Sequence, residues 1–167
     1  QLDAGGLPLG LAPHTMADLV SDAVESFQPL AAQQEIALRG EAAVSAPVLM
    51  DLPKISRVLS NLLSNALRYT PAGGEGVVTA VAADGGVVVT VADSGPGFQP
   101  DELPHLFEMF YRGEEARSRA TGGAGLGLAI ARGIVAAHDG RIWAENRPAG
   151  GAAVSFWLPV AEGMIDD

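Results

Sequence analysis

Two valine-rich runs, Val77-Val-Thr-Ala-Val81 and Val87-Val-Val-Thr-Val91, stand either side of Asp84-Gly-Gly86. β-Branched residues flanking an Asp-Gly pair predict two antiparallel strands joined by a tight turn. That hairpin constrains the rest, because the segments around it are helical. The spacing of Leu19, Val20, Ala23, Val24, Phe27 and Leu30 predicts a helix over about 16–34, and Thr15 followed by Asp18 resembles a capping box with the shorter acid. Asp51, with Pro53 in the first turn, starts a second helix running to about Tyr69. A third covers 126–138 and ends at Asp139-Gly140. Ile36 with Leu38, Val48 with Leu49, and segments 141–145 and 152–159 read as further strands. Helices interleaved with strands but interrupted by hairpins argue against a doubly wound parallel sheet. The expected class is α/β (α+β): a two-layer sandwich with a mixed, mostly antiparallel sheet and helices on one face.

At 167 residues the chain fits a single domain that folds without staples, and no internal repeat divides it. Cysteine is absent, which excludes disulfides and thiolate metal sites and agrees with a reducing compartment, the cytoplasm by default. A formal net charge of −10 opposes nonspecific attraction to nucleic-acid phosphates or anionic lipid. No apolar run reaches the roughly 20 residues of a membrane helix, and no signal-peptide pattern opens the chain, so no membrane contact is expected. The first residue is Gln1 rather than Met, which points to a piece of a longer protein. Gly5-Gly6, Pro8, Gly10 and Pro13 break helices, so 1–13 reads as a linker, 14–160 as the folded domain and 161–167 as a tail. Pro100, Pro104, Gly113, Gly122 and Gly123, around a charged middle, make 98–123 read as a mobile loop carrying one short helix.

Three short segments carry chemistry. In Asn61-Leu-Leu-Ser-Asn65 the amides fall at i and i+4, with Arg68 at i+7, on one stripe of the second helix; Ile55, Val58, Leu59, Leu62, Leu63 and Ala66 form its apolar side. A hard cation such as magnesium takes oxygen ligands, and a neutral amide completes its shell when phosphates supply the charge, so Asn65 is the candidate metal ligand. Solvated surface asparagines are the competing reading. Asp93-Ser-Gly-Pro-Gly97 ends a strand in a tight turn where Gly95 and Gly97 are free to take φ values barred to other residues. A carboxylate only accepts hydrogen bonds, so Asp93 in a pocket would choose the exocyclic amine of adenine over the carbonyl of guanine. An ordinary Asp-initiated turn is the alternative. Gly123-Ala-Gly-Leu-Gly-Leu128 precedes a helix whose free N–H groups and dipole suit a triphosphate. It is neither the Gly-Lys-Ser/Thr phosphate loop nor the dinucleotide glycine fingerprint.

Taken in order, these segments resemble the ATP-binding catalytic domain of sensor histidine kinases, in the superfamily shared by gyrase-type topoisomerases, heat-shock chaperone ATPases and mismatch-repair ATPases. Leu59-Ser-Asn-Leu-Leu-Ser-Asn-Ala-Leu-Arg-Tyr-Thr-Pro71 resembles the family's asparagine box and Asp93-Ser-Gly-Pro-Gly97 its first glycine box. Leu106-Phe-Glu-Met-Phe-Tyr-Arg112 is similar to the phenylalanine box, 123–128 to the second glycine box and Gly150-Gly-Ala152 to the last. The resemblance covers roughly 14–160 and implies the Bergerat ATP-binding fold. It implies that Asn65 binds magnesium and that Asn61 supports the same phosphate and metal region, both serving catalysis. Asp93 would bind the adenine amine, Gly95 and Gly97 would shape the base pocket, Tyr69 would lie against adenine or ribose and Arg68 near phosphate. The backbone of Gly125, Leu126 and Gly127 would meet the phosphates, within a box that also holds Gly123 and Leu128. Phe107 and Phe110 would anchor an ATP lid over about 98–122, although plain core packing of a short amphipathic helix also accounts for them.

Such kinases phosphorylate a His on a helical-hairpin dimerisation domain, followed by an acid and a downstream Arg and Pro. His14, His105 and His138 lack that context and read as structural: His14 in the linker, His105 at the start of the lid helix, His138 at a helix end where a cation is mildly favourable. The resemblance therefore implies the catalytic part of a protein-histidine kinase. It would bind ATP and magnesium and donate the γ-phosphoryl group to a His outside this chain, on the dimerisation domain of a homodimeric parent, for relay to a response regulator. Residues 2–6 resemble the tail of that hairpin. In the ATPase members a Glu four residues before the metal-binding Asn acts as general base; this chain has Asn61 there. An amide cannot accept a proton at neutral pH, so slow intrinsic hydrolysis is expected. An ATPase switch, or a nucleotide-binding module without turnover, is the alternative.

Overall fold

The valine hairpin closes through Asp84 and Gly85, whose φ values of 53° and 73° are both positive. Positive φ at both central residues gives the turn whose twist matches the strands it joins. It links β4 (Glu75–Ala83) to β5 (Gly86–Asp93), with Val78 opposite Val91 and Ala80 opposite Val89. The computed structural model describes residues 8–108 and 124–160. Before the hairpin come β1 (Ala12–Thr15), α1 (Met16–Gln33), β2 (Ala37–Ala42), β3 (Pro47–Met50) and α2 (Leu52–Tyr69). After it come a 3-10 turn (Leu103–His105), α3 (Ala124–Ala137), β6 (Arg141–Asn146) and β7 (Ala152–Pro159).

Five strands make one mixed sheet in the order β2-β4-β5-β7-β6, in which only the β2–β4 pair is parallel. Side chains alternate across it. Val78, Val91 and Val154 align in one row and Ala80, Val89 and Phe156 in the next, each at most 6% exposed. On this face α1 packs against β2 and β4, α2 against β5, and α3 against β6 and β7. Truncating the fully buried Phe156 to Ala would cost about 3–5 kcal/mol. The opposite face carries Thr79, Thr90 and Ser155, with the Thr90 and Ser155 hydroxyls 2.8 Å apart, and the Arg141 guanidinium 4.4 Å above the Trp157 ring. The expected two-layer α/β arrangement is thus the one observed.

Both helix starts follow the predicted chemistry. Thr15 accepts from the Asp18 N–H at 3.3 Å, and Asp51 accepts from the Lys54 N–H at 3.3 Å. β1 differs from expectation, since it begins two residues inside the segment read as linker. Its register on β3, Ala12 opposite Met50 and Thr15 opposite Pro47, supplies what local composition does not. Pro13 is tolerated there because β1 has a strand partner on one side only. Of the segment 98–123, residues 98–108 are described and form one 3-10 turn at Leu103–His105; the rest of that expectation, at 109–123, lies outside the described residues.

Candidate functional site

α2 is pinned by its apolar side, where Ile55, Val58, Leu59, Leu62 and Leu63 are at most 2% exposed. The other side carries the amide stripe. Asn61 and Asn65 are half-buried and Arg68 is exposed. Asn61 Nδ2 donates to the Gly127 carbonyl at 3.1 Å, which ties α2 to the first turns of α3. At its far end α2 stops at half-buried Tyr69, with Thr70 Oγ1 donating to the Ala66 carbonyl at 2.8 Å. The Tyr69 carbonyl abuts the loop after β5: a Cβ on Gly95 would lie 2.8 Å from it.

That loop starts at Asp93, the last residue of β5 and 8% exposed. Its Oδ1 accepts from the Gly95 N–H at 2.8 Å and from the Ala152 N–H at 3.4 Å. Burial pushes the Asp93 carboxyl above its ordinary range, against the pull of these two N–H donors and of the Arg147 cation. Gly97 has φ 81°, as the sequence leads one to expect. Gly95 does not share it: its φ lies outside the left-handed region, and the close approach of the Tyr69 carbonyl, not a special φ, is what excludes a side chain.

Among the described residues α3 runs from Ala124, and Gly125, Leu126 and Gly127 lie within it. A helix that starts at Ala124 leaves the N–H groups of Gly125 and Leu126 without intrahelical acceptors. Leu128, in contrast, is 5% exposed and belongs to the core. Gly123 and Phe110 lie outside the described residues. Phe107 is half-buried and packs on the core together with Phe98 and Leu106.

Among the described residues no cluster of three His, Cys, Asp or Glu could hold a metal ion.

The turn between β6 and β7 holds residues that the sequence reading did not single out. Arg147 Nη1 donates to the Asp93 carbonyl at 2.7 Å. Asn146 accepts from the Phe98 N–H at 2.7 Å and donates to the Phe98 carbonyl at 2.9 Å. The only available signal was their position just before Gly150-Gly-Ala152. His138 has the structural role expected of it. It is 7% exposed, its Nε2 accepts from the Asp51 N–H at 3.0 Å and its Nδ1 lies 2.8 Å from the Ile134 carbonyl, so the ring bridges the start of α2 and the end of α3. His105 closes the 3-10 turn, with Nδ1 2.9 Å from Glu108 Oε2.

A family model described as histidine kinase-, DNA gyrase B-, and HSP90-like ATPase matches residues 50–162. The signal transduction histidine-protein kinase BaeS of Escherichia coli (strain K12) is 41% identical over 158 residues, which are 95% of this chain and 34% of that protein. Full-length ShkA in complex with AMPPNP superposes with a TM-score of 0.83 at 32% identity, covering 96% of this chain and 33% of that one. Histidine kinase ThkA in complex with the response regulator protein TrrA does so with a TM-score of 0.76 at 26% identity, covering 90% and 42%. The chain spans about a third of the length of the curated relatives it matches. No helix among the described residues is long and apolar enough to cross a membrane.

Proposed function

Because this chain belongs to the histidine kinase-, DNA gyrase B- and HSP90-like ATPase family, we propose that it binds ATP with magnesium and presents the γ-phosphoryl group to a histidine on a dimerisation domain of the same protein, for relay to a response regulator aspartate. The observation that carries this reading is the position of α2 between the other two segments. Asn61 touches Gly127 in the first turn of α3, and the Tyr69 carbonyl meets the Asp93–Gly95 loop. The stretch from Asn61 to Tyr69 spans about 12 Å of helix. That length suits a nucleoside triphosphate laid along the stripe, base toward Asp93 and phosphates toward α3.

Each residue then has a task. With Asp93 Oδ1 taken by two N–H groups, Oδ2 is left to accept from the exocyclic amine of adenine. Gly95 and Gly97 let main chain approach the flat base, and Tyr69 closes the pocket at the end of α2. The backbone of Gly125, Leu126 and Gly127 and the positive end of α3 would meet the phosphates, with Arg68 adding charge. Asn65 would hold magnesium, which when bound screens the phosphate charge. The protein's contribution is positioning and electrostatics; the nucleophile comes from another domain.

Asn61 favours phosphotransfer over an ATPase switch. It stands where a general base would be needed, cannot accept a proton, and its amide is engaged with Gly127. Cytoplasmic placement, a linker leading from the dimerisation hairpin to β1 and a tail over 161–167 complete the proposal. The test mixes this chain with labelled ATP, magnesium and a separate dimerisation domain bearing the acceptor histidine. Label on that histidine is expected. Steady phosphate release without label would establish the ATPase instead.

A further inference from the structure

Two of the residues that grip the loop carrying Asp93, Asn146 and Arg147, lie outside every segment that resembles a nucleotide-binding box. Resting on the adenine-nucleotide reading above, we propose that Asn146 and Arg147 are positioning residues of the base pocket, Arg147 acting through Asp93 and Asn146 through the main chain just past Gly97.

Asp93 is the last residue of β5, so its carbonyl stands at the end of the ladder. Arg147 Nη1 meets that carbonyl at 2.7 Å. The same turn also reaches the carboxylate, through the Ala152 N–H at 3.4 Å. Gly151, at φ 97°, lies so close that a Cβ there would collide with the Asp93 carbonyl oxygen. The turn is itself closed, with the Arg147 N–H on the Gly151 carbonyl at 2.8 Å and the Gly150 N–H on the Arg147 carbonyl at 3.0 Å. Both polar ends of Asp93 are thus referred to one short, rigid segment.

Asn146 secures the far end of the loop. Its amide oxygen and nitrogen pair with the Phe98 N–H and carbonyl at 2.7 and 2.9 Å, a side-chain copy of one rung of a strand ladder. A Cβ on Gly97 would fall 2.7 Å from Asn146 Oδ1, so Gly97 passes directly beneath the amide. Between the two anchors, Asp93 and Phe98, lie four residues, two of them glycine, which would sample many conformations unless held. Holding them presets the carboxylate for its ligand, and affinity gained by preorganisation is lost when the hold is released. A purely structural role fits less well, because Asn146 is exposed and Arg147 half-buried, positions where truncation opens no core cavity.

The experiment titrates ADP, and separately GDP, with magnesium into the wild type and into Arg147→Met, Arg147→Lys, Asn146→Ala and Asn146→Asp, with melting curves alongside. Arg147→Met and Asn146→Ala should each weaken ADP binding about tenfold with nearly unchanged melting. The preference for ADP over GDP should narrow, Arg147→Lys should recover most of the loss, and Asn146→Asp, which keeps only the acceptor, should fall between. ADP affinity within about twofold of wild type in both truncations, or equal losses for ADP and GDP, overturns the proposal. A wild type that does not bind ADP overturns the adenine reading and this inference with it, whereas normal wild-type binding with indifferent variants overturns this inference alone.

Discussion

The main-chain N–H of Asp51 donates to Nε2 of His138 across 3.0 Å in the protein interior, joining the start of α2 to the residue that follows α3. Because Nε2 accepts, the ring proton sits on Nδ1, where the Ile134 carbonyl takes it at 2.8 Å. Asp51 meanwhile caps α2 through Oδ1 and holds the Gly10 N–H through Oδ2 at 2.8 Å. Towards the start of α3, Asn61 meets Gly127. Two antiparallel helices are thus pinned at two points, about 15 Å apart along the axis, which fixes the first turn of α3 relative to the amide stripe.

His138→Ala should therefore be costly although His138 is remote from any ligand. It strands the Asp51 N–H without an acceptor and leaves a void, a combined loss of about 2–4 kcal/mol. Urea denaturation measures it. A loss below about 1 kcal/mol would mean the bridge is incidental.

The two buried aspartates should respond to pH in opposite directions. Hydrogen bonding from the Gly10 N–H, first among its causes, holds the Asp51 carboxyl below its ordinary value of 3.8. Its folded pKa is depressed, so its contribution to stability is present above that ordinary value and lost as pH falls through the folded pKa. Asp93 is raised, chiefly by burial, so its contribution is present below the ordinary value and lost as pH rises through the folded pKa. At neutral pH Asp93 therefore weakens the domain on its own. Asp93→Asn keeps an acceptor for the Gly95 and Ala152 N–H groups while removing the buried charge. It should raise the melting temperature by about 2–4 °C and still weaken ADP binding, whereas Asp51→Asn should lower the melting temperature at pH 7. A lower melting temperature for Asp93→Asn would contradict this account.

What the sequence made legible is what neighbours in sequence decide. The Asp84-Gly85 turn, the Thr15 and Asp51 caps and the amide stripe of α2 each depend on contacts within a few residues, and each has the expected geometry. β1 was missed because Pro13 and Gly10 read locally as breakers, while the pairing that orders the strand comes from β3. Asn146 was missed, and the bridge made by His138 within its structural role was not foreseen, for the same reason: their partners, Phe98 and Asp51, are 48 and 87 residues away. Gly95 shows a subtler failure, since composition predicted a special φ where the requirement is space beside the Tyr69 carbonyl.

Asn65 carries the metal prediction. If its amide oxygen completes the shell of a phosphate-bound cation, chelation by EDTA should weaken ATP binding in the wild type but change little in Asn65→Ala, whose affinity should already be about tenfold lower. Equal sensitivity to EDTA in both proteins would assign the ligand elsewhere.

Asn61 distinguishes a donor from a mere filler. Its Nδ2 gives a hydrogen bond to the Gly127 carbonyl at 3.1 Å, at the helix turn proposed to face the phosphates. Asn61→Ala removes that tie alone, and should weaken ATP binding by about fivefold, the worth of one partly exposed hydrogen bond. Asn61→Asp is nearly isosteric yet should be worse, by more than about tenfold, because a carboxylate would confront the Gly127 carbonyl and repel the incoming phosphates. The order of the two variants in calorimetric titration is the decisive quantity: if Asn61→Asp binds ATP as well as Asn61→Ala does, the amide is not a donor at this junction and the pinning of α3 to α2 must rest on Asp51 and His138.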